Sequence, residues 1–409
     1  MTTYILGNGN NLSVSDDSSN GDTIIVGNGI DDSVSANSSS YDIITLGNGA
    51  GDSVSANSSS AFIVGQYDTI TLGDGGGDTV NVYSAQSDTI SIGNGADDTV
   101  YEVVSTSNTI TLGNGAGDIV TPSEVFVSNK VTLGDGAGDI VNGAYGAQFN
   151  IITLGDGAGD TVNWGHHLSQ QNTITLGNGA GDTVNDGGTE STGDIITIGN
   201  GAGDTVNDTG MGVTGDIITI GNGKNDAVTL NVEGGGGDKV TLGNGNGDVV
   251  TLNLEYGGGD KVTLGNGNGD VVNDLPTVQG GSPSNNITVG NGNGDVVNDA
   301  AIFAENNTIT VGNGNDTIYV GKGDTVTVGT GQDAFVFQQT TPGNIGAVTV
   351  NHFNPSKDVI TLSSQFETTF SYQDNSQGNA VITVDTSGDT ITLVGVHSAA
   401  LHSSDFHFA

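Results

Sequence analysis

A glycine-rich turn that recurs at a nearly constant spacing is the feature that most constrains the fold of this chain. One copy, from Thr241 to Val250, reads Thr-Leu-Gly-Asn-Gly-Asn-Gly-Asp-Val-Val. We call its first glycine the reference glycine. It recurs in fifteen copies, mostly 20 to 22 residues apart, at Gly7, Gly27, Gly47, Gly73, Gly93, Gly113, Gly134, Gly155, Gly177, Gly199, Gly221, Gly243, Gly265, Gly290 and Gly312. A period in this range is typical of a solenoid, in which stacked coils bury one another's apolar faces.

Apolar residues hold fixed positions around each reference glycine. The preceding residue is always aliphatic, the residue three before is Ile or Val in every copy except Tyr4, and the residue seven after is Val in fourteen copies. Spacing by two and β-branched side chains indicate strands with one buried face. The sequence therefore predicts an all-β protein, a parallel β-solenoid similar to a β-roll. Each coil consists of a strand, a glycine turn, a second strand and a variable return segment.

The charge of the chain limits its partners. Its 409 residues include six Lys, no Arg and 47 acidic residues, for a formal net charge of −41. Such a chain lacks the cationic contacts that nucleic acids and anionic lipids require, and it attracts cations instead. There is no Cys for disulfide bonds, and no apolar run approaches the roughly 20 residues of a membrane span. We therefore expect neither a nucleic-acid partner nor a membrane span.

Two rows of acidic residues are the candidate metal ligands. The turn row contains the Asp that closes each glycine turn: Asp32, Asp52, Asp78, Asp98, Asp118, Asp139, Asp160, Asp182, Asp204, Asp226, Asp248, Asp270, Asp295 and Asp316. The return row closes each return segment, five residues before the reference glycine. Its Asp members are Asp22, Asp42, Asp68, Asp88, Asp194, Asp216, Asp238 and Asp260, and Asn takes the position in other coils.

The spacing of these rows predicts calcium binding. Carboxylates stacked about 4.8 Å apart repel by roughly 3 to 4 kcal/mol per pair at an effective dielectric constant of 20. A hard cation with oxygen ligands, such as Ca²⁺, removes that repulsion. The alternative is that these Asp side chains cap N–H groups of the turns and project into water. Stacked Asn side chains directly after the reference glycines need no metal, because their amides can bond from coil to coil.

The repeats become shorter and the composition changes towards the C-terminus. Three tighter repeats place Asp316, Asp324 and Asp333 after short glycine turns. Beyond them the chain has ordinary strand alternation, with strands expected at 348–350, 358–362, 380–384 and 389–393. We predict a solenoid domain over residues 1–331 and a small C-terminal β domain over residues 332–409.

These tighter repeats resemble the nonapeptide of RTX (repeats-in-toxin) proteins, Gly-Gly-x-Gly-x-Asp-x-aliphatic-x, although most upstream turns are one residue longer. Three segments of the tail are similar to the C-terminal segment of type I secretion substrates: Asp333-Ala-Phe-Val-Phe337, the stretch from His352 to Ser363, and Ser404-Asp-Phe-His-Phe-Ala409. The resemblance implies a calcium-binding β-roll that type I secretion machinery exports from a Gram-negative bacterium. An extracellular or cell-surface location agrees with the first residues, which lack the basic and apolar regions of a secretory signal.

Catalysis has little support in the sequence. His166 and His167 lie beside Trp164 in one return segment, where a metal or sugar site competes with a simple solvated loop, and no catalytic motif emerges. We expect a non-enzymatic structural or adhesive protein. An N-terminal coil without a cap favours self-association head to tail into filaments.

The alternative is an ice- or glycan-binding adhesin. A column of Thr two residues before the reference glycines resembles an ice-binding face. However, Ile, Lys and Asn interrupt the neighbouring rank, at Ile43, Lys130, Ile151, Ile195, Ile217, Lys239, Lys261 and Asn286. A glycan would instead bind through the variable return segments.

Overall fold

The computed structural model describes residues 1–16, 19–37, 39–57, 65–164, 167–276, 284–301, 303–339 and 344–409. It comprises two compact units, Met1–Thr205 and Val206–Ala409. The chain forms a parallel β-solenoid of about 15 turns with almost no helix, which confirms the predicted fold class.

The strands of the first unit are short. They are β1 Thr3–Ile5, β2 Ser13–Ser15, β3 Thr23–Ile25, β4 Ser33–Ser35, β5 Ile43–Thr45, β6 Ser53–Asn57, β7 Gly65–Gln66, β8 Thr69–Thr71, β9 Thr79–Gln86, β10 Thr89–Ser91, β11 Thr99–Thr106, β12 Thr109–Thr111, β13 Ile119–Pro122, β14 Phe126–Val127, β15 Lys130–Thr132, β16 Ile140–Asn142, β17 Ile151–Thr153, β18 Thr161–Asn163, β19 Thr173–Leu176, β20 Thr183–Thr189 and β21 Ile195–Ile198.

The remaining strands follow the same plan up to the C-terminal segment. They are β22 Thr205–Met211, β23 Ile217–Ile220, β24 Ala227–Glu233, β25 Lys239–Leu242, β26 Val249–Glu255, β27 Lys261–Thr263, β28 Val271–Asp274, β29 Asn286–Val289, β30 Val296–Asn298, β31 Thr308–Val311, β32 Thr317–Tyr319, β33 Thr325–Thr327, β34 Ala334–Phe337, β35 Ala347–Asn351, β36 Val359–Leu362, β37 Ser371–Asp374, β38 Ala380–Thr383, β39 Thr390–Val394 and β40 Phe406–Phe408. Three single 3₁₀ turns lie at Ser364–Phe366, Ser398–Ala400 and Ser403–Asp405.

Two parallel sheets run through each unit. Strands that lead into the glycine turns pair with one another and form the approach sheet, and strands that leave the turns form the exit sheet. Equivalent coil positions face each other: Ile110 of β12 lies opposite Val131 of β15, and Val250 of β26 lies opposite Val272 of β28. In the coil of Gly312, whose turn is one residue shorter, Ile318 instead faces Val297. Because the strands of successive coils pair in the same register, the aliphatic side chains at each coil position stack into a continuous ladder.

The core is three such ladders wide. In one coil, Ile152, Leu154 and Val162 are 0%, 1% and 0% exposed. The corresponding positions are buried in both units, with two exceptions. Tyr4 and Leu6 of the first coil are half-buried, and after Gly312 the buried residue is Ile318 rather than Tyr319. The three predicted aliphatic ladders are therefore confirmed.

The second glycine of each turn is required because successive turns nearly touch. A β-carbon added to Gly157 would overlap the carbonyl oxygen of Gly136 in the preceding coil. A side chain there would force the coils apart and break the inter-coil bonds. The repeated Gly-x-Gly is thus a packing requirement of the stack.

The C-terminal segment contains the predicted strands but adds an antiparallel hairpin. Strands β38 and β39 pair in antiparallel fashion, as do β37 and β38, whereas β40 pairs with β36 in parallel. Parallel pairing also joins β34 to β36. The domain boundary near residue 331 stays a prediction.

The edges of the stack differ. Among the described strands, β1 pairs only with β3 and β2 only with β4. In the second unit, the hairpin β37–β38 extends the approach sheet next to β39. Within the described part of the chain, no helix has the length and apolar character needed to cross a membrane.

Candidate metal site

The turn row lies inside the solenoid, at the corner where the two sheets meet the glycine turn. Asp139 is 0% exposed, and its Oδ1 accepts the backbone N–H of Asp118 in the preceding coil at 3.0 Å. The N–H of Asp139 in turn donates to Oδ1 of Asp160 at 3.0 Å. The alternative in which these side chains project into water is therefore wrong. The expected capping of N–H groups does occur, but between coils.

In thirteen members of the turn row, the second carboxylate oxygen is buried and has no hydrogen-bond partner in the structure. This buried Oδ2 recurs in Asp32, Asp52, Asp78, Asp98, Asp118, Asp139, Asp160, Asp182, Asp248, Asp270, Asp295, Asp316 and Asp333. Oδ2 of Asp248 faces the second turn glycine, 2.7 Å from where a β-carbon on Gly245 would lie. An ionised oxygen in such a place costs free energy unless a proton or a cation accompanies it.

The return row repeats this bond at the opposite corner of the coil. The N–H of Asp68 donates to Oδ1 of Asp88 at 2.9 Å, and the N–H of Asp88 donates to Oδ1 of Asn108 at 2.9 Å. Asp and Asn are therefore equivalent as acceptors. The predicted members Asp22, Asp42, Asp68, Asp88, Asp194, Asp216, Asp238 and Asp260 are all buried.

Asp22 of the first coil has a different environment. Its Oδ2 accepts the hydroxyl of Ser19 at 2.5 Å, and its Oδ1 lies 3.3 Å from the N-terminal ammonium group. The Ser19 hydrogen bond is the main cause that lowers the pKa of Asp22 to about 2, with the N-terminal ammonium group a smaller contribution.

The tighter repeats alternate between the two corners. Oδ1 of Asp333 accepts the N–H of Asp316 at 3.2 Å, so both residues belong to the turn row. Oδ1 of Asp324 accepts the N–H of Asn307 at 2.9 Å, which places Asp324 in the return row. Each tight repeat therefore supplies half a coil.

Burial changes the acidity of both rows. It raises the pKa of Asp78 and of Asp139 to about 7 in the turn row, and neighbouring carboxylates of the row add to the effect. It raises the pKa of Asp88 in the return row to about 8. Without a bound cation, these groups hold protons near neutral pH.

The donor set agrees with a hard cation. Successive turns offer buried Oδ2 atoms and the carbonyl oxygens of turn glycines, which are the ligand types that Ca²⁺ takes. Among the described residues, however, no three His, Asp or Glu side chains come together as a metal cluster. A bound ion would therefore rely on backbone carbonyls as well as on the turn row.

A third set of inward acids was missed by the sequence analysis. Nine residues after the reference glycine, Glu102, Asp274 and Asp299 are 0% exposed. The alternation that buries Val seven residues after the glycine also turns the ninth residue inward, so period two could have found them.

Asn side chains of the return row donate hydrogen bonds to these interior acids. Asn285 and Asn307 donate from Nδ2 to Oδ2 of Asp274 at 2.9 and 3.0 Å, and Asn307 also donates to Asp299 at 2.9 Å. Likewise, Asn108 donates to Glu102 at 3.2 Å. Because the Asn Oδ1 is already used by a backbone N–H, the amide nitrogen necessarily faces the interior. In these coils an amide N–H therefore hydrogen-bonds the interior acid.

Other predicted features have mixed outcomes. The exposed Asn ladder forms as expected: Asn244 donates from both its backbone N–H and its Nδ2 to Oδ1 of Asn222, at 2.9 Å each. Trp164, by contrast, is only 4% exposed and packs edge-on to Phe126, so a solvated loop was wrong for this residue. His167 is exposed, and His166 lies outside the described residues.

Comparison of the chain with known protein families finds no match, and comparison with curated proteins finds none either.

The raised pKa values predict that acid stabilises the cation-free protein. Asp78, Asp88 and Asp139 stay protonated to about pH 7 or 8 when folded, whereas the ordinary pKa of an Asp side chain is 3.8. The folded state therefore binds more protons than the unfolded chain, and stability is lost as pH rises from about 4 through 8. We expect the thermal midpoint by circular dichroism, without divalent ions, to be lower at pH 8 than at pH 5. A midpoint that rises with pH would contradict this account.

Proposed function

We propose that this chain is a calcium-dependent β-solenoid with a non-catalytic, structural or adhesive role at the cell surface or in an extracellular matrix. The observation that carries the proposal is the buried, unpartnered Oδ2 that recurs in the turn row. A single such atom would be a local defect. Because the same unpartnered oxygen recurs from coil to coil, we infer that one kind of ligand binds along the row.

Calcium is the partner that the surroundings favour. Neighbouring carboxylates in the row repel by roughly 3 to 4 kcal/mol per pair at an effective dielectric constant of 20. Protons relieve this repulsion only below the raised pKa values, whereas a divalent cation relieves it at neutral pH. Flexible coordination by carboxylates and carbonyls suits Ca²⁺ better than Mg²⁺, which demands near-ideal octahedral geometry. The net charge of −41 adds a general attraction for cations.

Replacing turn-row Asp with Asn tests the calcium proposal. In the double variant Asp139→Asn/Asp160→Asn, Oδ1 still accepts the inter-coil N–H, as Oδ1 of Asn150 does from Asn129 at 2.8 Å. Without divalent ions we expect the variant to be more stable than wild type by about 1 to 3 kcal/mol, since two buried carboxylates that can carry an uncompensated charge are replaced by neutral amides. In calcium we expect the order to reverse, because ligand at 100 times Kd stabilises by about 2.7 kcal/mol per site.

Two surface residues of the same coils provide the control. Asp135 and Asp156 are exposed members of the outer ladder, so Asp135→Asn/Asp156→Asn makes the same charge change without touching the turn row. Denaturant unfolding followed by circular dichroism compares the variants with and without calcium. If the inner and outer variants respond alike, or if wild type gains no stability from calcium, the turn row is not a calcium site.

Export by type I secretion machinery is the second part of the proposal. The segments of the tail that resemble secretion substrates are folded: β40 pairs with β36, and Phe370 packs against Phe406 and Phe408 at ring-centroid distances of 5.2 Å. A transporter would therefore meet this segment before it folds. Low cytosolic calcium would leave the folded state less stable and easier to unfold for export, and calcium outside the cell would stabilise it.

Deletion of residues 350–409 tests this export route. We expect the truncated chain to remain inside a producing Gram-negative cell while the full chain reaches the medium. Immunoblots of cell and medium fractions measure the split, and an internal deletion of one whole coil serves as the comparison. Secretion of the tail-less chain at the normal level would rule out a signal in this segment.

Self-association is the third part, and the pairing of β1 and β2 supports it. Among the described strands each has a partner on one side only, so the other side can pair with another copy. In the second unit, β40 has a parallel partner on one side only among the described strands, whereas the hairpin β37–β38 continues the approach sheet in antiparallel fashion. Head-to-tail contact would therefore form mainly through the exit sheet.

Sedimentation analysis in calcium tests this contact. We expect the mass to rise with protein concentration, and Val14→Lys in β2 to reduce the rise because Val14 is a buried residue of that edge strand, 7% exposed. The matched change Val394→Lys, in β39 at a position 39% exposed, should leave association unchanged. A monomer mass at every concentration would contradict head-to-tail assembly.

A further inference from the structure

A polar groove opens on the outer face of the exit sheet in the first unit. It encloses about 320 Å³, and its lining includes Thr121, Pro122, Asn142, Tyr145 and Asn163. The volume lies near the lower end of the range for small-molecule sites. The residues that line the groove in the described part of the chain are uncharged.

An ordered amide ladder forms one part of this lining. Asn163 donates from Nδ2 to Oδ1 of Asn142 at 3.0 Å, and Asn142 donates from Nδ2 to Oγ1 of Thr121 at 3.1 Å. The ladder fixes which atom of each amide points along the stack. Each amide carries two N–H donors and two acceptor lone pairs, so a second donor and a second acceptor remain for a ligand. The Thr121 hydroxyl accepts within the ladder and can still donate.

Tyr145 supplies an aromatic surface beside the ladder. Its side chain is 52% exposed, and the ring of His167 packs edge-on against it, with centroids 5.5 Å apart and planes at 88°. His167 is itself held by a 3.0 Å contact between its Nδ1 and the carbonyl oxygen of Thr189. The tyrosine ring is therefore braced before any ligand arrives, which lowers the entropic cost of binding.

Backbone and the only tryptophan lie beneath the groove. Gly143 donates its N–H to the carbonyl oxygen of Asn163 at 2.6 Å, and a β-carbon at Gly143 would lie 3.1 Å from the ring of Trp164. The glycine keeps this side of the groove open. Trp164 is close enough for its fluorescence to change when a ligand binds in the groove. Because it is the only Trp in the chain, such a change can be assigned to this site.

The geometry points to a neutral pyranose as the ligand of this groove. A sugar ring has apolar C–H faces that pack on an aromatic ring and hydroxyl groups that need both donors and acceptors, and Tyr145 and the Asn142–Asn163 ladder offer these together. The uncharged lining provides no cation for an anionic sugar, and the net charge of −41 repels one. This inference rests on the proposed adhesive role and gives it a recognition chemistry, but the groove does not depend on the turn row for its contacts.

Titration with methyl pyranosides tests the assignment. The full-length protein, folded in calcium, is titrated separately with the methyl glycosides of glucose, galactose and mannose while Trp164 fluorescence is recorded. Isothermal titration calorimetry repeats each titration, so that a silent tryptophan cannot hide binding. We expect saturable binding of at least one glycoside with a millimolar Kd.

Variants then locate the site. Tyr145→Ala should weaken binding at least about tenfold, equivalent to about 1.4 kcal/mol, whereas Tyr145→Phe should retain most of it. Asn142→Ala should also weaken binding, because it breaks the ladder. Asn273→Ala is the matched control: Asn273 occupies the same coil position in the second unit and donates to Thr251 at 3.5 Å. This variant should bind like wild type.

Three outcomes would overturn the assignment. These are no saturable signal with any glycoside by either method, full binding by Tyr145→Ala, or an equal loss with Asn273→Ala. Circular dichroism confirms that each variant is folded. If wild type gains stability from calcium but binds no glycoside, the sugar site is wrong and the calcium proposal stands. If wild type binds glycoside but gains no stability from calcium, the calcium proposal is wrong and the sugar site stands.

Discussion

The bond from a backbone N–H to the side-chain oxygen of the equivalent residue in the next coil is the interaction on which this structure depends. It recurs at both corners of the coil, as from Asp118 to Asp139 in the turn row and from Asp68 to Asp88 in the return row. Each bond satisfies a buried N–H at a point where the strands end and the sheet ladder cannot reach it. The same bond turns the side chain inward, and so determines where the charge of the chain lies.

Asp and Asn perform this bond equally well, and they differ only in the second atom that they place in the interior. With Asp that atom is an oxygen, which in the turn row has no protein partner and whose acidity is weakened by burial. With Asn it is a donor, and in the return row Asn307 uses it to hold the interior acids Asp274 and Asp299. This one-atom difference separates positions that carry a buried, unpartnered carboxylate oxygen from positions where an amide N–H hydrogen-bonds an interior acid.

The residue types on the outer faces of the two sheets vary more than those in the interior, because no inter-coil bond restricts them to Asp or Asn. The approach sheet carries Thr, Ile and Lys side by side on its exposed positions, whereas the exit sheet carries an amide ladder near Asn142 and Asn163. A return segment adds Tyr145 beside that ladder. Variable returns on a constant frame therefore create local sites, as binding loops do on other rigid scaffolds.

The sequence by itself determined the coil, its register and the faces of its strands, since a period near 21 residues with aliphatic positions spaced by two leaves little other choice. It also located both rows, from Asp22 to Asp333. The direction of the carboxylates was decided only by the stacked structure, because an Asp in a turn can cap its own turn or the neighbouring coil with the same local sequence. The partnership of Asn285 and Asn307 with Asp274, the burial of Trp164 against Phe126, and the groove beside Tyr145 are equally tertiary. Each joins residues more than ten positions apart, whose separation depends on return segments of irregular length that no periodicity predicts.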